Sequence, residues 1–105
     1  MPYDGTLVSE YLQAAHGTSL LSEREKHLAG LAVTLTRGCQ VCTRGRIDKA
    51  RAAGIGDEVL NALVGVVAAV NAGVAAATAR ESFRLADSAS EACGALCGPE
   101  SAVGR

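Results

Sequence analysis

The stretch SEREKHLAGLAVTLTRGCQVCTRGRIDKARAAG, residues 22–54, decides the fold. Ser22 is followed three residues later by Glu25, the form of a capping box in which hydroxyl and carboxylate satisfy each other's backbone N–H groups. Leu28, Leu31 and Leu35 then recur at helical spacing, which predicts a helix over residues 22–37. Gly38 breaks it. Cys39 and Cys42 open a second helix, with small or apolar positions at Ile47, Ala50 and Ala53, and Gly54 and Gly56 stop it. Asp57 is placed to cap the next helix, whose Val59, Leu60, Leu63, Val64 and Val67 form a wide apolar stripe.

Outward from this centre the pattern stays helical. The run NAGVAAATARESFRLAD continues the third helix to about residue 87, with a kink allowed by the small residues at 71–73. Before the centre, residues 9–15 predict a short entry helix ended by His16 and Gly17. Residues 88–105 are rich in Ser, Gly and Ala and read as a flexible tail, with room for one helical turn around Cys93 and Cys97. No strand pattern and no repeat is visible. The expectation is an all-α chain with a single helical domain over 1–87, comprising an entry segment 1–21 and a core 22–87, followed by the tail.

With 105 residues there is room for one core. Hydrophobic residues make up 49%, yet the aromatics are only Tyr3, Tyr11 and Phe83, so the apolar content is mostly Ala, Val and Leu. Such a domain leaves apolar surface uncovered as a monomer, which predicts a homo-oligomer. Ten basic against eleven acidic residues give no global attraction to nucleic acid or anionic membranes, so neither is expected as a partner. The first residues, MPYDGTLVSEYLQ, lack the basic and apolar regions of a secretory signal, which predicts a cytoplasmic protein. Residues 59–79 are almost uncharged, but Asn61, Gly65, Asn71 and Gly73 interrupt them and Ala and Val dominate, so a buried helix is favoured over a membrane span.

In a cytoplasmic setting four cysteines are a poor disulfide framework, and a CxxC pair reads as redox or metal chemistry. Two cysteines spaced by two residues at a helix start can close a small disulfide loop, while the helix terminus favours a thiolate. That makes Cys39 and Cys42 the candidate reactive pair. The competing reading is zinc, for which Cys93, Cys97, His16 and His27 are the remaining candidate ligands; their spacing does not follow a zinc-ribbon pattern, so no cofactor is expected and zinc is the runner-up. Cys93 and Cys97 are either a second exchange pair or ordinary thiols.

The stretch from REKHLAGLAVTLTRGCQVC through TRGRIDKARAAGIGDEVLNALVGVVAAVNAG resembles the carboxymuconolactone decarboxylase superfamily, in particular its alkyl hydroperoxidase D-like branch. The decarboxylases generally lack the cysteine pair, so the CxxC points to the redox branch. The resemblance implies a compact helical domain assembling as trimers or hexamers. It also implies a dithiol–disulfide cycle in which Cys42 attacks a peroxide and Cys39 resolves the product, with an external thiol reductant restoring the pair. Where the family places a glutamate twelve residues before the first cysteine and a histidine four after the second, this chain has His27 and Arg46. Arg46 can stabilise a thiolate but cannot shuttle protons near neutral pH. His27, on the face of Leu31 and Leu35, can titrate in the relay range. Plain structural roles for both residues stand beside these.

The expected function is therefore a thiol–disulfide oxidoreductase or peroxidase-like enzyme using Cys39 and Cys42, assisted by His27 and Arg46, on a peroxide or disulfide. The alternative is a metal-binding or non-catalytic helical assembly protein that has lost the family's proton relay.

Overall fold

The structure, a computed structural model, describes residues 2–93. It is all-helical, with no strand among the described residues: α1 (Thr6–His16), α2 (Glu23–Arg37), α3 (Gln40–Ala52) and α4 (Asp57–Cys93). The capping box at the start of α2 forms as the spacing requires. The Ser22 hydroxyl accepts the Glu25 N–H at 3.0 Å, and the Glu25 carboxylate accepts the Ser22 N–H at 2.7 Å. The α2 helix ends at Gly38, whose φ of 76° is the left-handed conformation that a side chain disfavours. The Gly38 N–H reaches back to Leu35 and the Cys39 N–H to Thr34, a Schellman arrangement that turns the chain straight into the cysteine pair.

Gly54, at φ 85°, ends α3 in the same way, with the Ile55 N–H bonded to the Ala50 carbonyl at 3.0 Å. That turn drives Ile55 inward. The core is small: Leu31 from α2, Ala50 from α3, Ile55 from the turn and Leu60 from α4 are buried, with Leu28, Leu35, Ile47, Val59 and Leu63 packed against them. The α2–α3 pair is the principal helix packing and sets the geometry of the turn carrying Cys39.

Two features differ from the sequence expectation. Asp57 does not cap α4; its carboxylate is taken by Arg51 at 2.8 and 3.0 Å, while the Gly56 carbonyl accepts the Val59 and Leu60 N–H groups. The third long helix runs on through Ser88 to Cys93, into the stretch read as a tail, because a run of Ala, Ser and Glu offers no helix breaker there. The chain divides into two compact units, Met1–Val67 and a second from Ala68 onward. All four buried core residues belong to the first unit, whereas residues 68–88 are all exposed. Within α4, Asp57–Ser88 is long and apolar enough to cross a membrane by length and composition, with a mean hydropathy of 2.0. Val66, Val70, Val74, Phe83 and Leu85 on that helix are uncovered in the single chain.

Candidate functional site

Cys39 is the N-cap residue of α3, extended at φ −87° and ψ 106°, and Cys42 lies in the first helical turn. The two sulfurs are at disulfide distance, with Cα atoms 5.3 Å apart. The backbone of Cys39 is fully engaged: its N–H donates to Thr34 at 3.2 Å and its carbonyl accepts the Thr43 N–H at 3.0 Å. Its sulfur accepts the Cys42 N–H at 3.2 Å, which puts the electropositive start of a 13-residue helix against Sγ of Cys39. The two cysteines differ in access, since Cys39 is half-buried and Cys42 exposed.

Beside Cys39 lies a cavity of about 590 Å³, floored by Leu35 and Ile47 and rimmed by Thr43, Arg44, Asp48 and Arg51. The rim arginines are matched by acids. Arg44 faces Asp48 at 3.9 Å and Arg51 holds Asp57 in a two-pronged pair. That pairing lowers the Asp57 carboxyl below its ordinary value, through the Arg51 hydrogen bonds first and the Arg51 charge second. The surroundings of Cys39 are thus apolar below and close to neutral above.

His27 and Arg46 come together, but around a different cavity. They line a space of about 320 Å³ with Leu12, Gln13, His16, Glu23, Lys26 and Lys49, and Cys39 is not among the lining residues. Neither forms a hydrogen bond to a cysteine sulfur among the described residues. The Arg46 side chain instead lies across α2 at Gly30, where a Cβ would come 2.6 Å from the guanidinium carbon. A close approach of that kind is available only because residue 30 has no side chain.

The residues that sequence reasoning missed follow from this packing. Arg44 and Asp48 carry a helical i,i+4 signal, but nothing in the sequence marks Gly30 as the seat of Arg46 or joins Lys26 and Lys49 to His27. Among the described residues no group of three or more His, Cys, Asp and Glu is placed to hold a metal. Of the candidate zinc ligands, Cys97 and the side chain of Cys93 lie outside the described residues, as does their reading as an exchange pair.

The fold and the site define an all-helical protein with a disulfide-competent CxxC at a helix start. The carboxymuconolactone decarboxylase family matches residues 5–85, most of the chain, and the protein belongs to that family. No curated protein and no solved structure matches it.

Proposed function

We infer that this protein is a CxxC-dependent oxidoreductase of the alkyl hydroperoxidase D-like branch, reducing a peroxide or a disulfide at the expense of an external thiol. The observation that carries the reading is the Cys39–Cys42 pair at disulfide distance across the first turn of α3, with one sulfur capped by the helix and the other in the open. Exposure makes Cys42 the sulfur that meets substrate. Its thiolate attacks the outer oxygen of a hydroperoxide, the O–O bond breaks, an alcohol leaves after taking a proton, and Cys42 becomes a sulfenic acid. The Cys39 thiolate, favoured by the Cys42 N–H, then displaces water and forms the disulfide. Reduction reverses the roles: an external thiolate attacks Cys42, and Cys39 leaves as the sulfur whose negative charge the helix start accommodates. A second external thiolate attacks the reductant sulfur of this mixed disulfide, so that Cys42 leaves as the thiolate and the reductant departs as its own disulfide.

Neither His27 nor Arg46 hydrogen-bonds to a cysteine sulfur among the described residues, so this reading rests on the cysteines and the helix start. The uncovered apolar residues of α4 support a homo-oligomer in which copies of the chain cover Val66, Val70 and Val74, and that assembly is what we propose for a cytoplasmic protein of this kind.

The test is peroxide consumption by the full chain with a dithiol reductant. Cys42→Ser is expected to abolish turnover while circular dichroism and oligomeric state stay unchanged. Turnover retained by Cys42→Ser would overturn the assignment.

A further inference from the structure

The cavity holding His27 and Arg46 belongs to no step of that chemistry, and its composition is unlike the one beside Cys39. Three permanent cations face it, Lys26, Arg46 and Lys49, against one carboxylate, Glu23. Glu23 is already committed to Lys26 at 2.9 Å, an interaction that holds its carboxyl below the ordinary range, through the hydrogen bond first and the charge second. The side chains of Arg46 and Lys49 have no ion pair or hydrogen bond among the described residues. His16 donates through Nδ1 to the Leu12 carbonyl at 2.8 Å, which leaves its other ring nitrogen available. Two cations without acids, the half-buried Arg46 and the exposed Lys49, make an electropositive hollow.

A second hollow of about 330 Å³ shares Leu12, His16, Lys26 and Arg46 with the first, and its remaining wall is largely apolar: Ala15, Leu21, Ala29 and Val33. Arg46 lines both, with its guanidinium close against Gly30. Volumes of this order are those of small-molecule sites, about 300–1,000 Å³, in which apolar walls bind and a few polar groups orient.

We propose that these joined hollows bind an amphipathic carboxylate, a medium-length aliphatic chain lying between α1 and α2 with its carboxylate on Arg46 and Lys49. The planar guanidinium offers a fork that matches a carboxylate, and Lys49 adds a point charge from one turn further along α3. The apolar wall of Leu21, Ala29 and Val33 takes the chain, and Val33, 61% exposed in the free protein, is then covered. The site is separate from the cysteine pair and stands or falls independently of the oxidoreductase reading.

Isothermal titration calorimetry on the full chain, with decanoate, decanol and inorganic phosphate as probes, tests it. Decanoate is expected to bind saturably with one site per chain, and at least about tenfold more tightly than either decanol or phosphate, since each lacks one half of the recognition. Arg46→Gln is expected to weaken decanoate by about tenfold or more, the worth of a charge-assisted contact. Lys49→Gln, at an exposed position, is expected to weaken it by a smaller factor and guards against a folding defect in the first variant. Unsaturable binding, decanol or phosphate binding as tightly as decanoate, or affinity unmoved by both substitutions would each overturn the proposal.

Discussion

Replacing Gly30 by Ala separates the stability of α2 from the placement of Arg46. A Cβ at this position would lie 2.6 Å from Cζ of Arg46 and 3.0 Å from Nε, well inside ordinary contact. The obstruction is the far end of a flexible side chain, so the guanidinium gives way by about 1 Å while the helix backbone stays in place. In the interior of a 15-residue helix, alanine is favoured over glycine by about 0.5–1 kcal/mol, because glycine loses more backbone freedom on folding. Reorienting an arginine that holds no acceptor costs about 0.5 kcal/mol in rotamer energy. The sum is a change between about zero and 0.5 kcal/mol in favour of the variant. Urea unfolding followed by circular dichroism measures it, and calorimetric titration of decanoate measures the consequence for the cavity. Stability unchanged or raised, with decanoate weakened, is the expected pair of results. A loss of more than about 1 kcal/mol would show that Arg46 is locked in place by packing and would refute the reasoning.

Two further outcomes are expected of the fold itself. Leu31→Ala removes the one large side chain that is completely buried among the described residues and should cost about 3 kcal/mol, within the usual 2–5 for such a truncation, read as a drop in the urea midpoint; a loss under about 1 kcal/mol would mean that the α2–α3 packing is not what holds this unit together. Asp57→Asn should be slightly less stable than the parent at neutral pH, where the Arg51 pair is intact. Because the folded carboxyl is held below its ordinary value of 3.8, that small, solvent-screened contribution is full above this pH and disappears as the pH falls through the folded value, so the two proteins should converge in acid. A stability gap that persists after the carboxylate is protonated would assign the effect to something other than the ion pair.

The local course of the chain was written in residues 22–54. The capping box at Ser22, the leucines at helical spacing, and the glycines at 38 and 54 act on their immediate neighbours, through hydrogen bonds and backbone sterics that span a turn or two. For the same reason the pairing of Cys39 with Cys42 was legible, since two residues across the first turn of a helix are neighbours whatever surrounds them. The position of Asp57 suits a cap, but Arg51, six residues away across a turn, takes the same carboxylate. The helix beyond residue 87 was cut short because composition alone does not separate a polar, Ala-rich helix from a loose tail.

What tertiary structure alone decided is which side chains share a space. The family resemblance suggested His27 and Arg46 as assistants to the cysteines; packing of α2 on α3 lays Arg46 across Gly30 and places it with His27, Lys26 and Lys49 along one hollow, while Arg44, Asp48 and Arg51 line the cavity beside Cys39. A sequence pattern reports the face of a helix on which a residue stands. The neighbour that residue meets depends on how another helix is rotated and translated against it, and that is fixed only when Leu31, Ala50, Ile55 and Leu60 close into one core.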